Sequence, residues 1–113
     1  MKVLDRSAVI IRPKQPYVDW ANSTGPYNES LDDLSKQGRV VLVPEASSRE
    51  EALARIAVLA EELFRMELEA WQPGKAGWPR RLDFETFSEW FEIEVQLMVI
   101  DSSDQPIQTE PFQ

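Results

Sequence analysis

Three groups of side chains carry the charge or aromatic character that chemistry needs. Arg12, Lys14 and Gln15 stand where an apolar run gives way to prolines. Lys75, Trp78, Arg80 and Arg81 put three cations and an indole in one Gly- and Pro-rich stretch. Glu61, Glu62, Glu85, Glu89, Glu92 and Glu94 form a carboxylate set. The two basic groups suit an anion. Backbone N–H groups at a strand-to-helix junction hold negative charge, and guanidinium groups beside an indole clamp an acidic group through paired hydrogen bonds and stacking. The competing reading is a solvated loop in which Trp78 plugs the core and the cations offset neighbouring acids. Paired carboxylates hold Mg or Ca, or act as acid and base. No spacing gathers these six into one cleft, and a run of charge is ordinarily a solvated face. Tyr17 with Asp19 and Lys14 is a further acid–base trio, with no nucleophile motif or phosphate loop beside it.

The chain has no histidine and no cysteine. The usual base near neutral pH is missing, and with it the Ser-His-Asp and Cys-His nucleophiles. Zinc sites of thiolate and imidazole and haem ligation by His or Cys are excluded too. The expectation is a domain without catalysis, cofactor or resident metal. Pro13-Lys14-Gln15-Pro16 matches a P-x-x-P ligand pattern, yet both prolines punctuate a strand-to-helix junction and read as structural marks.

At 113 residues with 42% apolar content, the chain fits one domain with a core of its own. The net charge is −8, and residues 82–113 hold eight acids and no base. That balance argues against nucleic-acid or anionic-membrane binding, which needs a basic face, and suits a protein partner with a basic surface. A second alternative is an acidic mimic of nucleic acid. Duplex DNA carries one charge per ~1.7 Å, or about 20 over a domain of this size, so a net −8 is a poor match. No apolar run approaches the ~20 residues of a membrane span, and the first residues lack a signal peptide's apolar stretch. A cytoplasmic location is expected.

Ala8 to Ile11 and Val40 to Val43 read as strands apolar on both faces, stopped by Pro13 and Pro44. Ile93, Val95, Leu97 and Val99 alternate with polar residues as a half-buried strand. Ser48 with Glu51 caps a long helix over about 49–71. Short helices are expected over 16–22, 31–36 and 84–91, the last capped by Asp83 with Leu82 and Phe87 as a hydrophobic staple. The expected fold is α+β: a three-stranded mixed sheet packed by one long and about three short helices, in the order β-α-α-β-α-α-β. The first two strands are expected parallel and the third antiparallel. Residues 1–101 form the domain and 102–113 a flexible polar tail. Continuous apolar strands need cover on both faces, and short helices cover the second face poorly, so a two-fold homodimer burying that face is a further expectation.

Arg12-Pro13-Lys14-Gln15-Pro16-Tyr17-Val18-Asp19-Trp20, Val43-Pro44-Glu45, Trp78-Pro79 and Phe87-Ser88-Glu89-Trp90-Phe91 together resemble a group of small bacterial proteins of unknown function. The resemblance spans roughly residues 5–100 in element order. It implies a bacterial single-domain protein and assigns no chemistry. Two functions follow from the residues: a small acidic protein-interaction domain, or a small enzyme or ligand binder that recognises an anion through Arg12, Lys14, Arg80 and Arg81.

Overall fold

The apolar run around Ala8 to Ile11 becomes the middle strand of the main sheet. The computed structural model describes residues 1–112; Gln113, the last residue of the expected tail, lies outside the described residues. In chain order the elements are β1 (Lys2–Val3), β2 (Arg6–Pro13), α1 (Gln15–Ser23), α2 (Leu31–Ser35), β3 (Arg39–Pro44), α3 (Arg49–Glu69), α4 (Phe84–Trp90), β4 (Phe91–Gln96) and β5 (Ile100–Asp101). The fold is α+β, with a three-stranded sheet ordered β3-β2-β4 and a two-stranded ribbon of β1 and β5.

The expected mixed sheet is corrected. β2 pairs antiparallel with both β3 and β4. Arg39 opens β3 opposite Ile11, at the end of the sheet where β2 stops. The α1–α2 segment is therefore an out-and-back excursion. The crossover lies in the next connection: β3 and β4 run the same way with β2 between them, and α3 and α4 carry the chain across. Both kinds of connection place helices between two apolar runs, so the sequence pattern does not tell them apart.

The expected element order is also corrected, by the two short strands of the ribbon. The ribbon extends the β2–β4 pair past a bulge. Five residue steps separate Val3 from Ala8, against four between their partners Ile100 and Gln96. One extra residue on the first strand bends the pair and breaks its alternation.

Local chemistry sets the helix ends. The Ser48 hydroxyl accepts from Glu51 N–H at 3.1 Å, and the Glu51 carboxylate takes the Ser47 N–H at 3.1 Å and the Ser47 hydroxyl at 2.7 Å. The box thus closes one residue earlier than a standard one. Asp83 accepts from Thr86 N–H at 2.9 Å and starts α4, with Phe87 fully buried. That hydrogen bond, then Arg81, holds the Asp83 carboxyl below its usual value. The segment between α1 and α2 is clamped: the Asn22 amide donates to Glu29 C=O at 3.0 Å and accepts Glu29 N–H at 2.8 Å.

The core lies between one face of the sheet and the helices. Val9, Ile11, Val43 and Phe91 meet Ile56, Phe64 and Leu68 of α3, Phe87 of α4 and Tyr17 of α1. Phe64 sits edge-on to Phe87 and Phe91 at 5.7 and 5.8 Å, and Phe87 stacks on Phe91 at 4.8 Å. Each such buried side chain contributes about 1.5–3 kcal/mol. Ser7 is buried with them. Its hydroxyl donates to Leu97 C=O at 3.0 Å and accepts Ala46 N–H at 2.9 Å, tying the loop before α3 to the strand end.

Candidate functional site

Paired residues of an antiparallel sheet share a face, so the register sorts the strands into two sets. Val9, Ile11, Val41, Val43, Ile93 and Val95 face the helices. Ala8, Ile10 and Arg12, Val40 and Leu42, and Glu92, Glu94 and Gln96 point the other way. That outer face adds no member to the core cluster. Val40 and Leu42 are 61% and 46% exposed, while Val43 of the same strand is 1% exposed. The β3 half of the face is apolar and the β4 half acidic.

Arg12 joins the halves. Its guanidinium donates to Glu94 at 2.7 Å. The Gln96 amide first, then Arg12, holds the Glu94 carboxyl below the usual carboxylate range. Glu92 lies opposite Arg12 in register and forms no ion pair among the described residues. The face therefore carries two carboxylates to one guanidinium. Gly38 makes room for Arg12: a Cβ there would lie 3.0 Å from Arg12 Cγ and 3.2 Å from Ile11 O.

The other basic candidates are scattered and mostly engaged. Lys14 Nζ donates to Ser88 C=O at 3.2 Å, and Gln15 donates to Asp19 at 2.8 Å. Arg81 pairs with Asp83 at 2.7 Å. Lys75, with φ of 71°, and Arg80 are exposed. The Trp78 indole is half-buried and donates to Gln72 C=O at 2.9 Å, which leaves it a brace of its own loop. Trp20 of α1 holds that loop as well, donating to Gly77 C=O at 2.8 Å. Of the carboxylate set, Glu61 pairs with Arg65 at 2.9 Å. Among the described residues no three carboxylates cluster in a way that holds a metal ion, and no helix is long and apolar enough to cross a membrane.

A second feature joins residues far apart in the chain. Arg39, at the start of β3, forms an ion pair with Glu67 of α3. The Tyr17 hydroxyl donates to the Glu67 C=O at 2.7 Å. These three line a cavity with Pro13, Tyr27, Leu34, Gln37, Ala70 and Trp71. Burial first, then the Glu67 charge, raises the Tyr17 phenol well above its ordinary value of 10.0. The hydrogen bond to Glu67 raises the Arg39 guanidinium, against the effect of its burial. Arg39 and Glu67 lie 28 positions apart on different elements, so no local spacing announces them. Tyr17 stood in the sequence as part of an acid–base trio with Asp19 and Lys14, and its hydroxyl bonds instead to the Glu67 backbone.

No protein-family model matches the chain, and neither a curated protein nor a solved structure matches it.

Proposed function

We propose that the protein is a non-enzymatic interaction domain whose outer sheet face receives a short segment of a partner protein carrying apolar and basic side chains. One observation carries this reading: Val40 and Leu42 stay exposed on a sheet face that adds no residue to the core cluster, beside Glu92, which forms no ion pair among the described residues. Apolar side chains of the partner would cover Val40, Leu42 and Ile10, and a cation would meet Glu92.

Size supports a segment over the expected homodimer. Three strands ~4.8 Å apart and six residues long at ~3.4 Å per residue present roughly 300 Å². Each side of a stable interface buries about 800 Å². A second copy would also bring another net −8. The anion-binding alternative has less behind it, because Arg12, Lys14 and Arg81 are already engaged. A bacterial source, as the resemblance implies, and a cytoplasmic setting are compatible with this reading.

Fluorescence anisotropy tests it with a labelled octapeptide of four valines followed by four lysines. Saturable binding is expected, lost when glutamates replace the lysines and lost in Leu42→Asp at unchanged thermal midpoint. Equal binding of the two peptides, or wild-type affinity in Leu42→Asp, would overturn it.

A further inference from the structure

On the opposite side of the sheet, the geometry points to a second binding site, in the cavity around Arg39 and Glu67, with a free amino acid bearing an aromatic side chain as its ligand.

The space sets the scale. The half-open cavity holds about 290 Å³, at the lower edge of the ~300–1,000 Å³ typical of ligand pockets. It suits a small metabolite and not a peptide.

The charges set the head group. Arg39 reaches Glu67 through Nε alone, and only Oε1 of Glu67 receives it. Among the described residues, the two terminal amino groups of Arg39 and the second oxygen of Glu67 have no hydrogen-bond partner in the protein. The Glu67 side chain is 12% exposed, and its unused oxygen is not among the fully buried atoms left without a partner, so it is open to a ligand. A guanidinium presents a planar fork of donors that fits a carboxylate, and a carboxylate oxygen accepts from an ammonium. An anion alone would meet the charge of Glu67, and a cation alone that of Arg39. A zwitterion answers both, with its carboxylate on Arg39 and its ammonium on Glu67 Oε2.

The wall sets the side chain. Tyr27 and Trp71 stand edge to face at 4.8 Å on the cavity lining, with Leu34 and Pro13 beside them. A ring on the ligand would join this pair in the same geometry. The Tyr17 hydroxyl holds the backbone of Glu67 by its 2.7 Å hydrogen bond, which makes Tyr17 a positioning residue for the acceptor.

Isothermal titration of the whole protein tests the site. L-phenylalanine is the probe. Phenylacetate, which lacks the ammonium, and phenethylamine, which lacks the carboxylate, are the controls. L-phenylalanine is expected to bind saturably at or below about 1 mM, with each control roughly tenfold weaker or worse. Tyr27→Ala removes part of the aromatic wall at an exposed position and is expected to weaken L-phenylalanine to a similar degree. Absence of saturable L-phenylalanine binding, equal binding of either control, or unchanged affinity in Tyr27→Ala would overturn the proposal. Leu42→Asp lies on the other face and should leave this affinity unchanged, which separates failure of this site from failure of the outer face.

Discussion

Val40, Val41, Leu42 and Val43 are consecutive residues of one strand, and they live in two environments. Val41 and Val43 pack against the helices, while Val40 and Leu42 look outward and stay exposed. β2 repeats the contrast more weakly, with Val9 and Ile11 in the core and Ile10 half-buried among outer-face neighbours. The inner face spends its apolar surface on stability. The outer face keeps Val40 and Leu42 exposed, and on the proposed reading they are what a partner covers.

The contrast can be broken first on its strong side. Phe64 is fully buried against Phe87, Trp90 and Phe91. Phe64→Ala should cost about 3–5 kcal/mol, read by urea unfolding; a loss below 1 kcal/mol would show a core far looser than its geometry. Alkali probes the same side. Because the folded phenol of Tyr17 is raised above 10.0, the fold holds a proton there that the unfolded chain releases. The Tyr17 contribution should be level below pH 10 and fall as pH rises toward the folded value. Chemical denaturation across that range checks it, and in Tyr17→Phe the fall should shrink.

Ser7→Ala is the next effect down. It leaves Ala46 N–H buried without an acceptor, for an expected loss of about 1–3 kcal/mol. Ser48→Ala removes the α3 cap, and about 1 kcal/mol is expected. Acid should act through Asp83. Its depressed carboxyl contributes stability above the unfolded value of 3.8, and that contribution is lost as pH falls through the lower folded value. The smallest expected change is the most telling for the comparison. Leu42→Asp on the outer face should shift stability by no more than about 0.5 kcal/mol. A loss of several kcal/mol would mean that Leu42 belongs to the fold and not to a partner.

Much of this was legible in the residues, for identifiable reasons. Ser48 and Asp83 announced their helices because capping is a local rule of three-residue spacing, and each accepts the expected N–H. Pro13 and Pro44 end their strands because a missing N–H is a local property too. Apolar runs on both faces of β2 and β3 pointed to a face in want of cover, and Val40 and Leu42 are that face. Strand direction was not legible, since it depends on whether α1 and α2 return the chain or carry it across. β1 and β5 are two residues each, too short for any period to show. The Arg39–Glu67 pair joins a strand to a helix 28 positions on, and only the packed fold brings it together. Of the basic candidates, Arg12 alone lies on the outer face, and it does so bound to Glu94.

An NMR titration of backbone amides locates the docking face residue by residue. The probe is the octapeptide of four valines and four lysines. Shifts are expected to saturate and to concentrate at Ile10, Arg12, Val40, Leu42, Glu92 and Glu94, leaving the amides of Ile56, Phe64 and Leu68 in α3 unmoved. Shifts centred on α3 or on the 72–79 loop, with β3 and β4 silent, would rule out docking on the outer face.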